Sequence, residues 1–196
     1  MSRPFALGGV IASVLLIAIG VGSIVIGMSG RSEVRDNLSA EKITGTPDMT
    51  PALITAAAKE AGLENVNAPD CTVAEQDINT GSRARCFAEY LRIHALEATG
   101  GQVYAEMPRF LDENGEGTND EAAAAKDPKS GAPMANGLRN TWVTATALST
   151  ALNTSFFAEQ VALFSIVIGI ALLLVGIGFL VLTSSLLRTA REPQAV

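Results

Sequence analysis

The sequence predicts a mainly α-helical membrane protein: a two-helix transmembrane hairpin with a mostly helical extracytoplasmic domain held between the spans. Three observations predict it. Uncharged apolar runs stand near both ends, one between Arg3 and Arg31 and the other between Glu159 and Arg188. Neither run carries the polar stripe at a 3.6-residue period that a core helix of a water-soluble protein would show. The stretch between them is polar, with 11 basic and 19 acidic residues from Arg31 to Glu159, so its net charge is near −8 against −6 for the whole chain.

In chain order, residues 1–4 are expected as a short cytoplasmic tail and 5–28 as the first span. A span needs roughly 20 apolar residues to cross about 30 Å of hydrocarbon, and FALGGVIASVLLIAIGVGSIVIGM supplies them. The alternative is a cleaved signal peptide. Its apolar core would be about 7–15 residues and would end at an A-x-A site, which this run lacks.

Residues 29–159 are the expected extracytoplasmic domain. The first helix should continue through RSEVRDNLSAEK, with Val34 and Leu38 on one face and no breaker before Gly45. A short helix is predicted from Thr50 to Ala61, with Thr50 as N-cap, Pro51 in the first helical position and Gly62 just past the end. The clearest soluble helix is SRARCFAEYLRIHALEATGG, in which Phe87, Tyr90, Leu91 and His94 share a face and Gly100-Gly101 ends the run. His94, the sole histidine, reads as a hydrogen-bonded packing residue rather than a ligand or base.

Residues 112–137 are expected as a flexible acidic insert, because Gly, Asn, Asp, Pro and Ala there offer little to bury. Asp112, Asn114, Glu116, Gly117 and Asp120 match positions 1, 3, 5, 6 and 9 of an EF-hand calcium loop, but Ala123 stands where the bidentate glutamate belongs. No metal ligand set is therefore assigned, and no cofactor. Residues 138–159 carry Leu138, Trp142, Ala145, Ser149, Leu152 and Phe156 in three- and four-residue steps, the seam of a helical stalk. A separate helix joined by a bend at Asn153-Thr154-Ser155 fits the same spacing. The second span is 160–187 and the second cytoplasmic tail 188–196.

Orientation follows from the flanks. Arg188 and Arg191 follow the second span, while its other flank has no Lys or Arg nearer than Arg139, so both termini are expected in the cytoplasm. An oxidising compartment for the loop suits a disulfide between Cys71 and Cys86, which would close about 16 residues; two packed free thiols are the alternative.

Partners are read from the spans. Ala6, Gly9, Ser13, Gly20, Ser23, Gly27 and Gly30 fall on a 3-4 pattern interrupted by Leu16, and Ala162, Ser165, Gly169, Gly176 and Thr183 form a weaker one. Small residues let helices approach closely in lipid, where no hydrophobic drive brings them together, although Gly, Ala and Ser are also simply frequent there. Each stripe is expected to pack on the other as a left-handed antiparallel pair. The length of the first suggests a further helix from another chain, hence a hetero-oligomer with other integral membrane proteins. Neither span carries an ionisable residue, which argues against transport by this chain alone. The acidic loop argues against nucleic acid. No catalytic residue set is found, as there is no G-x-S-x-G, H-E-x-x-H or phosphate-binding loop.

LSAEKIT at 38–44, HALEATGGQVYAEM at 94–107 and LRNTWVTATALSTALNTSFFAEQVAL at 138–163 resemble a group of uncharacterised actinobacterial two-span membrane proteins, often labelled aromatic ring-opening dioxygenases. The resemblance covers about half the loop and the layout of the spans. A ring-opening site of the two-histidine, one-carboxylate type needs a second histidine that this chain lacks. Small two-span chains of this kind also resemble accessory subunits of the actinobacterial cytochrome bc–cytochrome oxidase respiratory supercomplex. Two packing faces, an ordered-looking loop and no catalytic set point to a non-catalytic accessory subunit of an envelope complex, for which the resemblance suggests the respiratory supercomplex; a ligand-binding or sensing module built around the helix from Phe87 to His94 is the alternative.

Overall fold

The computed structural model describes residues 3–64 and 66–189, with side chains described from Phe5 to Leu187 apart from Asn65. The tails expected at 1–4 and 188–196, with Arg188 and Arg191, lie outside these described residues and side chains. The elements are α1 (Arg3–Ala40), α2 (Pro51–Glu60), α3 (Gly81–Ala98), β1 (Phe110–Leu111), β2 (Gly117–Thr118) and α4 (Gly137–Thr189). They divide into two units, one of residues up to 36 and from 157 onward, the other of residues 37–156.

The first unit is a pair of helices. α1 and α4 are long and apolar enough to cross a membrane. Most of their apolar surface is uncovered: Phe5 is 74% exposed, Ile26 71%, Phe164 65% and Leu174 65%. A core helix of a soluble protein would bury such side chains.

In the second unit each helix starts and stops where local chemistry dictates. Thr50, in extended conformation, accepts the Leu53 N–H at 3.3 Å and caps α2, with Pro51 next, and the chain leaves through Gly62 at φ +73°. α3 is capped by Thr80, which accepts the Arg83 N–H, and is terminated by Gly100 and Gly101 at φ +61° and +80°. α1 stops at Ala40, where Lys42 turns the chain at φ +52°. At Gly45 the chain passes so close to the Val73 carbonyl that a Cβ would collide with it. Gly45 N–H donates to Gln76 O and Glu75 N–H to Gly45 O, so this contact fastens segment 43–49 to segment 72–78.

The core of this unit is Met49, Ile54, Ala58, Val73, Ile78, Ala84, Phe87, Ala88, Tyr90 and Ile93, and a smaller cluster joins Ala95, Met107 and Trp142. On the predicted α3 face Phe87 and Tyr90 are buried and Leu91 and His94 partly so. Along α4, Trp142 and Leu152 are buried and Ala145, Ser149 and Phe156 half-buried, whereas Leu138 is exposed. α4 is helical through residues 153–155 and is capped by buried Asn136, whose Oδ1 accepts the Leu138 N–H while its Nδ2 donates to Pro108 O.

Residues 112–137 are mostly exposed, with Ala124 and Asn136 buried, yet rich in hydrogen-bonded turns. β1 pairs antiparallel with β2, and between them Asp112 Oδ1 accepts the N–H groups of Asn114 and Glu116, with Gly115 at φ +81°. A second turn closes on Asp127. The Ser130 N–H, the Ser130 hydroxyl and the Lys129 N–H all donate to its carboxylate and hold its pKa below the usual value. Leu111 N–H to Met134 O and Ala125 N–H to Leu111 O return the segment to β1.

Candidate functional site

The small residues of the two long apolar helices meet one another. Within the two apolar runs, the buried positions on α1 are Ala6, Ser13, Gly20 and Gly27, and on α4 Ala162, Gly169, Gly176 and Thr183, each set spaced by seven. A seven-residue repeat is the signature of helices that wind around each other with a left hand. A Cβ on Gly20 would lie 2.8 Å from Gly169 O, one on Gly169 2.7 Å from Gly20 O, and one on Gly27 2.6 Å from Ala162 O. With Gly9 against Thr183 as well, the pairing runs antiparallel. Leu16, the interruption in the α1 stripe, has its match in Gly176, where an added Cβ would come within 3.1 Å of the Leu16 Cβ. Gly30 lies in ordinary contact with Ala162, and Ser23 and Ser165 are only partly buried.

The hydroxyls in this seam need no partner across it. Ser13 donates to Gly9 O at 2.7 Å and Thr183 to Phe179 O at 2.7 Å, bonds inside their own helices that remove the penalty of burying a polar group. Gly8, Gly22 and Gly178 lie off the seam, since a Cβ at any of them would meet nothing within 4 Å.

At the polar end of the hairpin, Glu159 is 5% exposed, and its Oε1 accepts Nε–H of Arg31 at 3.0 Å and of Arg35 at 2.9 Å. The arginines are four apart and so share a face of α1. Sequence periodicity missed this clamp because it joins residues 124 and 128 apart. The available signal was that Arg31 and Glu159 are the first charges met on leaving the two apolar runs.

In the second unit Cys71 and Cys86 stand at disulfide distance, S–S 2.03 Å. One turn along α3, the Tyr90 hydroxyl donates to Cys71 O at 2.6 Å. Burial first, and the Glu89 carboxylate second, push the Tyr90 pKa above 10.0. With the folded-state pKa raised, the stabilisation is complete below the unfolded value near 10 and is lost as pH rises through the folded value. Tyr90 should therefore ionise above its ordinary pH when tyrosinate absorbance is followed from pH 9 to 12. Tyr90→Phe should abolish the late component and cost about 1–2 kcal/mol. An absorbance titration in which Tyr90→Phe removes no late component would rule this out.

His94 lies partly buried, with Nδ1 2.9 Å from Glu97 Oε2 and Nε2 3.4 Å from Asp48 Oδ2. Among the described residues no three His, Cys, Asp or Glu groups converge as a metal ligand set. Within the calcium-like stretch, the Asp112 carboxylate is engaged with backbone N–H groups. Beside α3, a groove of about 270 Å³ is lined by Glu89, Arg92, Trp142, Thr146, Ser149 and Asn153. Arg92 stacks 5.4 Å from the Trp142 ring centroid there. No family model matches this chain, and neither a curated protein nor a solved structure does.

Proposed function

We propose that the protein is a non-catalytic integral membrane protein whose two spans and outer domain serve as an accessory or structural subunit of a larger envelope complex. The best candidate is the actinobacterial cytochrome bc–cytochrome oxidase respiratory supercomplex. Both termini lie in the cytoplasm and residues 29–159 face outward, a topology supported by the basic flank after the second span and by a cysteine pair that needs an oxidising compartment.

The observation that carries the reading is Gly22, in the middle of α1 with nothing within 4 Å of where its Cβ would stand. Glycine in a helix interior costs about 1 kcal/mol relative to alanine, and Gly8 lies two heptads before it on the same stripe. A further helix from another chain gives that cost a use. The α1 seam stripe no longer argues for this helix, because Gly9, Gly20 and Gly27 already touch α4.

The tagged full chain, purified from its native membrane in mild detergent, should bring down stoichiometric integral membrane subunits identified by mass spectrometry. Gly22→Leu should reduce their recovery at least several-fold while leaving the chain folded. Recovery of a lone monomer or homodimer would overturn the proposal. The second reading, an extracytoplasmic ligand-binding or sensing module, is favoured by the Arg92–Trp142 groove. A specific ligand there would raise the melting temperature with concentration, which Arg92→Ala would abolish.

A further inference from the structure

We propose that the groove lined by α3 and α4 binds a free α-amino acid with an uncharged polar side chain. The assignment rests on the ligand-binding reading of the same groove. Two opposite charges on α3 border it without meeting. Glu89 and Arg92 both line the groove and stand three residues apart, so their side chains are neighbours on one helix face. The Arg92 guanidinium instead lies over the Trp142 ring, 5.4 Å from its centroid, and makes no hydrogen bond or ion pair to any described residue. Stacking covers the face of a guanidinium and leaves the N–H groups at its edge free, where two of them match a carboxylate side by side. Glu64 and Asp70 border Arg92 from the adjoining cavity, and neither forms an ion pair with it. Glu89 accepts Nε–H of Arg85 on Oε1 at 3.2 Å, which leaves Oε2 without a hydrogen bond among the described residues.

The groove thus presents one positive and one negative group. A simple anion would be repelled by Glu89 and a simple cation by Arg92. A ligand that carries both signs close together meets each with its opposite, and an α-amino acid holds its ammonium and carboxylate on a single carbon. Size agrees. The groove holds about 270 Å³, which at roughly 30 Å³ for each water-sized unit is room for about nine non-hydrogen atoms. Side-chain preference comes from the α4 wall. There the Ser149 and Thr150 hydroxyls donate to Ala88 O and Thr146 O, whereas the Thr146 hydroxyl and the Asn153 amide make no hydrogen bond to a described residue. Both groups donate and accept without charge, so they fit an amide or a hydroxyl on the ligand.

Isothermal titration calorimetry on the full chain in detergent should show one L-asparagine bound per chain. N-acetyl-L-asparagine lacks the ammonium and L-asparagine methyl ester lacks the carboxylate. Each should bind at least about tenfold more weakly, as expected when one charge-assisted hydrogen bond is lost. Glycyl-L-asparagine, whose charges stand a peptide unit further apart, should fall by a similar factor. Arg92→Gln should bind L-asparagine and its methyl ester alike, and Glu89→Gln should do the same for L-asparagine and its N-acetyl derivative. Unfolding would abolish binding of every compound and cannot mimic a selective loss of discrimination.

Wild-type binding of the ester, the N-acetyl compound or the dipeptide as tightly as L-asparagine would overturn the proposal, and this series needs no variant. Two further outcomes separate the ligand class from the reading beneath it. If L-asparagine does not bind but another small metabolite raises the melting temperature in a manner that Arg92→Ala abolishes, the amino-acid assignment fails and the groove remains a ligand site. If no compound does so, both fall.

Discussion

Gly169→Leu combined with Gly20→Leu should force the two long helices apart and cost at least about 3 kcal/mol of helix-pair stability. At each position a new side chain runs into backbone: Gly169 O and Leu173 N at 2.8 Å for Gly20, and, for Gly169, Gly20 O at 2.7 Å, with the Ile24 side chain at the same distance and Ile24 N at 2.9 Å. A rotamer change cannot relieve a clash with a carbonyl, so a whole helix must move. The two sites are reciprocal, hence the double change should cost less than the sum of the single ones. A cross-link provides a direct readout. The Cβ of a residue at position 9 would lie 3.5 Å from the Thr183 Cβ, which suits a disulfide, so Gly9→Cys with Thr183→Cys should oxidise readily. Its yield, read after proteolysis between the helices, should fall steeply in the leucine variants. Gly178→Leu, where a Cβ meets open space, should leave it unchanged. An undiminished cross-link in the Gly20/Gly169 variant would refute the seam.

The features legible in the sequence are those that local rules control. Thr50, Pro51 and Gly62 bracket α2, and Phe87 and Tyr90 mark the buried side of α3, because capping and helical period act within a few residues. The seam was legible because close approach of two long helices selects small side chains at a fixed repeat. Leu16 looked like an interruption; its fit against Gly176 depends on the partner helix and cannot be read from α1 alone.

The contacts that escaped the sequence join distant segments or very short ones. Gly45 read only as a helix breaker, yet its lack of a side chain lets the Val73 carbonyl approach. β1 and β2 have two residues each, too few for an alternating pattern. Asp112 stood out only as the first position of a calcium-like loop and Asp127 not at all, because which backbone N–H groups they bind depends on how the loop folds back. Glu159 read as the last charge before the second span, and its two arginine partners are more than a hundred residues away.

Cys71→Ser with Cys86→Ser, or reduction of the wild-type pair, should lower the stability of the 37–156 unit by about 3 kcal/mol, the loop-closure value for a link of this span. For a unit of roughly this size that is a fall in melting temperature on the order of 10 °C. The pair fastens the loop at residue 71 to buried Cys86 on α3, and the Tyr90 hydroxyl holds the same Cys71 through its carbonyl. The two tethers are therefore coupled. While the disulfide is intact, Cys71 stays near α3 whether or not the hydroxyl is present, so Tyr90→Phe should cost only its hydrogen bond. In the serine background that hydrogen bond also carries part of the ordering of segment 66–73, and Tyr90→Phe should cost more there by about 0.5 kcal/mol or above. Thermal melts of the four chains in detergent, followed by helical circular dichroism with and without reductant, complete the cycle. Strict additivity would mean that covalent link and hydroxyl act on separate parts of the unit, and a melting point indifferent to reductant would mean that the cysteines are not joined in the protein as isolated.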